Sequence, residues 1–115
     1  MDKLTNIFKI LSDETRLRMV LLLYQEELCV CELSGVLEAP QPRISKNLSK
    51  LRDLSLVNDE RKERYVFYTL RKDNKILNKI LDDILNNIED YPQIDFDRNK
   101  LKDKDKFSNI CSGNA

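Results

Sequence analysis

Between Ile44 and Leu70 the apolar residues change their period, and that change limits the folds open to the chain. Ile44, Leu48 and Leu51 recur at i, i+4 and i+7, the spacing of one narrow helix face. After Leu56 and Val57 the rhythm shortens to two. Tyr65, Val66, Phe67, Tyr68, Thr69 and Leu70 are strongly strand-forming, and residues 58–62 can pair back on them as the other arm of a hairpin. The tip near Lys62 and Glu63 lacks glycine, so the turn type is not legible.

The remaining pattern is helical. Ile7, Phe8, Ile10 and Leu11 predict a first helix. Ser12 offers a cap for a second, with Asp13 and Glu14 on its first turn and Leu17, Val20, Leu21 and Tyr24 on one face. A third, shorter helix is expected from about Cys29 to Leu37. Pro40-Gln41-Pro42 then marks a turn and the first turn of the next helix, where proline costs little because those amides have no helical partner. A long apolar stripe follows: Ile76, Leu77, Ile80, Leu81, Ile84, Leu85 and Ile88. Pro92 ends it. From Gln93 to Ala115 alternating Asp and Lys with few apolar residues read as mostly disordered, so residues 1–90 form the expected domain and 91–115 a flexible charged tail. The fold class is mainly α with one β-hairpin, a winged helix-turn-helix that dimerises through its terminal helices.

Several chemistries are excluded. The chain has no histidine, which removes Ser-His and Cys-His nucleophilic pairs and His-rich zinc sites. Its only glycines, Gly35 and Gly113, cannot build a phosphate loop. The longest apolar run, Met19 to Tyr24, is too short to span a bilayer, and a cytoplasmic protein with no membrane partner is expected.

Twenty basic and twenty acidic residues cancel, but they are segregated. Arg43, Lys46, Lys50 and Arg52 occur with no acid among them, and Arg61, Lys62 and Arg64 follow at the hairpin tip. A helix about 10–12 Å across fits the major groove of B-DNA. Gln41, Ser45 and Asn47 have the donor–acceptor pairs for base edges. Arg43, Lys46, Lys50 and Arg52 suit phosphates or guanine, and Arg61, Lys62 and Arg64 would follow the backbone as a wing. The stripe on the last helix is more than a small domain easily covers. Packing Leu77, Ile80, Leu81 and Ile84 against Leu4, Ile7 and Phe8 of a twin subunit would cover it, giving a homodimer suited to palindromic double-stranded DNA.

Leu11-Ser12-Asp13-Glu14-Thr15-Arg16-Leu17-Arg18, Glu27-Leu28-Cys29-Val30-Cys31-Glu32-Leu33, Gln41-Pro42-Arg43-Ile44-Ser45-Lys46-Asn47-Leu48 and the wing from Arg61 to Leu70 together resemble the ArsR/SmtB family of metal-responsive winged-helix repressors. The likeness runs from about Ile7 to Leu85. Leu-Cys-Val-Cys followed by an acid and Leu is similar to the arsenite-type inducer site, which implies a repressor that needs no cofactor to bind DNA and releases it when As(III) or Sb(III) binds Cys29 and Cys31. The departures are specific. Asn47 stands where the family commonly has histidine, Pro40 where it has a serine or threonine cap, and Ser34 where some arsenite sensors carry a third cysteine.

On a regular helix Cys29 and Cys31 would point about 200° apart, so gripping one ion would distort the start of the third helix. A helix N-terminus favours the thiolate that soft ions require, and Glu26 and Glu27 act against it. Arsenite prefers three thiolates, and Cys111 is the remaining cysteine, on a tail spanning roughly 25 Å on average. Alternatives within the fold are a cadmium or lead sensor and a thiol-redox or persulfide sensor. Outside that function stand a small CxC oxidoreductase or metal carrier and a winged-helix protein-interaction module.

Overall fold

The elements follow this order in a computed structural model that describes residues 2–107. Helices α1 (Asp2–Leu11) and α2 (Glu14–Gln25) precede a two-residue strand β1 (Leu28–Cys29). Helices α3 (Val30–Leu37) and α4 (Gln41–Asp53) lead into strands β2 (Val57–Lys62) and β3 (Tyr65–Leu70), then helix α5 (Lys75–Asn86) and helix α6 (Pro92–Lys100). Short 3₁₀ turns at Ile88–Asp90 and Leu101–Asp103 flank α6. None of the described helices is long and apolar enough to cross a membrane.

Helix α2 is the centre of the core. Met19, Val20, Leu21, Leu22 and Leu23 are each at most 1% exposed, so this helix is enclosed on every side along its middle turn. Full burial of such side chains stabilises by about 1.5–3 kcal/mol each. Its cap is Asp13, whose carboxylate accepts from the Arg16 N–H at 3.0 Å. Ser12, the expected cap, instead donates its hydroxyl to the Lys9 carbonyl at 2.7 Å and closes α1. Around α2 pack Ile7 and Ile10 of α1, Leu33, Val36 and Leu37 of α3, Ile44, Leu48 and Leu51 of α4, and Leu77 and Leu81 of α5.

The three strands form one antiparallel sheet in the order β1-β3-β2. The hairpin register runs from Val57↔Leu70 to Lys62↔Tyr65, leaving Glu63 and Arg64 as a two-residue turn. Glu63 takes a positive φ of 58° there, the conformation for which glycine is usually preferred. Beyond the sequence expectation, β3 also pairs with β1, Leu28↔Tyr68 and Cys29↔Phe67. The chain between α2 and α3 is therefore stitched to the base of the hairpin. This moves the start of the third helix to Val30 and leaves Cys29 outside it.

Two further expectations are corrected. The stretch from Gln93 is not disordered as far as Phe107: Pro92 opens α6 and that helix docks on α2 and α3. Arg18 of α2 grips Asp97 through two contacts of 2.8 Å, Gln93 adds a third at 3.0 Å, and Leu101 joins the core. Asp97 is 2% exposed, and that paired charge is what holds a polar helix down. The proposed dimer stripe is partly spent within the chain, since Ile7, Leu77 and Leu81 are buried in its own core. Ile80 and Ile84 are half-buried, whereas Leu4, Phe8 and Ile76 remain exposed.

Candidate nucleic-acid interface and thiol site

Helices α3 and α4 are joined by a tight turn at Glu38-Ala39-Pro40. Glu38 takes the left-handed conformation (φ 53°), Ala39 N–H bonds the Ser34 carbonyl at 3.1 Å, and Pro40 caps α4 with Pro42 in its first turn. Apolar Ile44, Leu48 and Leu51 hold α4 against the core, which turns Gln41, Arg43, Ser45, Lys46, Ser49 and Lys50 to solvent. Arg43, Lys46 and Lys50 make no ion pair with an acid of the described residues. Three unneutralised cations and several uncharged hydrogen-bonding groups thus share one exposed helix face.

Asn47 is not on that face. It is 7% exposed, and its side-chain oxygen faces the Arg16 guanidinium at 3.5 Å, so it belongs to the packing between α4 and α2. Residue type alone misled here: Asn47 follows Ile44 by three and precedes Leu51 by four, and that spacing was the available signal. Arg52 also differs from its expected role. It reaches Asp59 of β2 at 2.9 Å and the Tyr68 hydroxyl at 3.2 Å, tying α4 to the wing.

The wing carries Arg61, Lys62 and Arg64 exposed at its tip, interleaved with Asp59, Glu60 and Glu63. Lys62 pairs with Glu27 at 2.7 Å, which raises its pKa. Solvent screens an exposed pair of this kind, so a phosphate can replace Glu27.

Cys29 and Cys31 lie at the junction of all these parts. Cys29 is a free thiol, 2% exposed, in extended conformation (φ −93°, ψ 172°) at the cap of α3. Its own N–H donates to the Glu32 carboxylate at 3.0 Å, and Glu32 is itself buried. Burial pushes the Cys29 pKa up, the Glu32 N–H opposes that shift, and the Glu32 charge adds to it. The helix terminus therefore does not yield a ready thiolate at this position. Because Cys29 is outside the helix, the expected 200° divergence along a regular α3 does not apply either.

Cys31, half-buried in the first turn of α3, is not a free thiol in this structure. Gln41, the first residue of α4, directs its amide at the Cys31 sulfur at 3.7 Å. No group of three or more Cys, Asp or Glu side chains suited to a metal ion occurs among the described residues. Cys111 lies outside them.

Comparison with known proteins agrees with this arrangement. Residues 13–59, from the α2 cap to β2, match the sequence profile described as bacterial regulatory protein, arsR family. The arsenic resistance transcriptional regulator ArsR1 of Pseudomonas putida is 51% identical over 65 residues, 56% of this chain and 51% of that protein. This chain spans about half the length of that relative. The arsenical resistance operon repressor of Staphylococcus aureus is 36% identical over 86 residues, 75% of this chain and 77% of its own length. Among solved structures, reduced HlyU from Vibrio cholerae superposes with a TM-score of 0.66 at 32% identity, over 72% of this chain and 85% of that one.

Proposed function

The chain belongs to the ArsR family of bacterial regulatory proteins, and on that footing we propose that it is a homodimeric cytoplasmic repressor rather than an enzyme. It binds palindromic operator DNA and lets go when arsenite or antimonite takes up its cysteine thiolates. What supports this most is a single juxtaposition: Cys29 caps the helix that packs on α4, and Cys31 in its first turn touches Gln41 at the start of the unneutralised α4 face.

In the DNA-bound state α4 lies in the major groove. Gln41 and Ser45 meet base edges, Arg43, Lys46 and Lys50 meet phosphates or guanine, and Arg61, Lys62 and Arg64 follow the backbone from the wing. Leu4 and Phe8 on α1 and Ile76, Ile80 and Ile84 on α5 form the surface joining two protomers, and the two-fold sets the spacing of two reading heads.

With Cys31 reduced, Cys29 and Cys31 have the soft donors that a trivalent metalloid takes, and Cys111 supplies the third. The folded chain holds Cys29 buried and protonated, so capture requires that residue to leave the core and lose its proton. Leaving the core breaks its N–H bond to Glu32 and the β1–β3 pairing at Phe67, while capture at Cys31 displaces Gln41. The reading helix and the wing are disturbed together. A coupling on the order of 1–3 kcal/mol is enough for release.

The test is fluorescence anisotropy of a duplex from upstream of the gene. Arsenite, antimonite and cadmium are titrated in turn under reducing conditions, and peroxide without reductant. Wild type is expected to release DNA at the lowest concentration with arsenite or antimonite. Cys29→Ser and Cys31→Ser are expected to bind DNA normally and stay bound. Normal release from Cys29→Ser would remove that residue from the site, and preferential release by cadmium or peroxide would change the inducer.

A further inference from the structure

On the side of α4 away from the wing, a shallow cavity of about 290 Å³ is lined by Lys9, Ile10, Arg16, Lys50, Asp53 and Leu54. We infer that this cavity is a phosphate-binding ledge: Lys9 and Arg16, together with Lys50, hold a backbone phosphate of the DNA on the flank opposite the wing. The inference rests on the DNA-binding reading above and adds a site to it, drawn from α1 and the start of α2, outside the helix-turn-helix and the hairpin.

Three observations converge. First, charge: three cations border the cavity against one acid, Asp53, and neither Lys9 nor Lys50 is in an ion pair with an acid of the described residues. Asp13 and Glu14 are the other nearby acids, and Asp13 is occupied in capping the Arg16 N–H. Second, position: around α4, Arg43 and Lys50 lie on the flank next to inward-facing Asn47, and Arg52 lies on the flank that meets the wing. The ledge and the wing therefore bracket the face bearing Ser45, Lys46 and Ser49, as two backbone contacts bracket a helix inserted in a groove. Third, preorganisation: the Arg16 guanidinium is held at the end of α1 by long contacts of 3.4 Å to the Lys9 and Ile10 carbonyls and 3.5 Å to Asn47. Those contacts engage each nitrogen once and leave a second N–H on both terminal nitrogens, which suits a phosphate oxygen. Asn47 thus acts on DNA at one remove, by positioning Arg16.

Phosphate contacts are counted by salt. Each one formed adds about 0.9 to the negative slope of log K against log salt on B-DNA. Affinities of wild type, Lys9→Gln and Lys79→Gln are measured by anisotropy on an operator duplex and an unrelated duplex over a series of KCl concentrations, with circular dichroism to confirm folding. Lys79 is exposed on α5 and lies outside the ledge. Lys9→Gln is expected to lower the slope by about 1.8 on operator and unrelated DNA alike, one phosphate being lost from each protomer of the dimer, and Lys79→Gln to match wild type. A Lys9→Gln slope equal to wild type overturns the ledge. The α4 reading then still stands if Lys46→Ala loses binding. A wild type that binds no DNA would overturn both.

Discussion

Cys29 shows how strongly a single environment changes a residue's chemistry. Burial raises its pKa above the ordinary 9.0, so the folded chain keeps a proton that the unfolded chain releases. The folded state then binds more protons, and stability falls as pH rises past 9.0. Denaturation midpoints measured at neutral pH and above that value are expected to fall less in Cys29→Ala than in wild type. Ser55 offers a second test at this scale. It follows α4 in the left-handed conformation (φ 58°), which costs an L-residue roughly 1–2 kcal/mol. Ser55→Gly is expected to raise stability by about 0.5–1 kcal/mol in urea denaturation, relief of strain being partly offset by glycine's unfolded-state entropy.

At the scale of elements, α6 is held by an interaction the charge pattern conceals. Acids and bases are interspersed from residue 95 to residue 106, and Asp97 looks like any other acid in that run. Its burial against Arg18 separates it from them. Breaking a buried pair by removing one partner costs about 3–5 kcal/mol. Asp97→Ala is expected to release α6 before the rest of the fold, seen as faster amide exchange over residues 92–100 with α2 still protected. The strap continues over α3, where Lys100 bonds the Gly35 carbonyl at 3.4 Å and Glu38 at 3.2 Å. A Cβ at Gly35 would overlap the Phe107 ring. Gly35→Ala should therefore displace Phe107 while leaving the hairpin intact, which quenching of a Phe107→Trp reporter would reveal as increased solvent access.

At the scale of the whole molecule, Leu4, Phe8 and Ile76 are the exposed apolar residues assigned above to the surface between protomers. Leu4 and Phe8 lie one turn apart on α1, and Ile7 and Ile76 line one cavity between α1 and α5, so the exposed positions of the two helices are neighbours. Phe8→Asp with Ile76→Asp is expected to give a folded monomer in sedimentation analysis. Its operator affinity should fall at least tenfold, because one reading head replaces two. An unchanged sedimentation coefficient would place the dimer contact elsewhere.

Local pattern determined most of this protein. The switch from a period near four to a period of two between Leu51 and Tyr65 marks helix and hairpin, prolines mark the α4 start, and the unopposed cations from Arg43 to Lys50 mark the exposed face. Each is a property of neighbours along the chain, and so is readable there. The rest depended on residues far apart meeting. Arg18 and Asp97 are 79 positions apart, Cys29 sits opposite Phe67, and Asn47 turns inward to Arg16. Only tertiary packing decided that a polar helix docks, that a cysteine expected in a helix caps it from a strand, and that Ile7, Leu77 and Leu81 of the apolar stripe are core. Burial and pairing across the fold outweigh local preference wherever a charge or thiol leaves water, because the partner that makes that burial tolerable comes from another element.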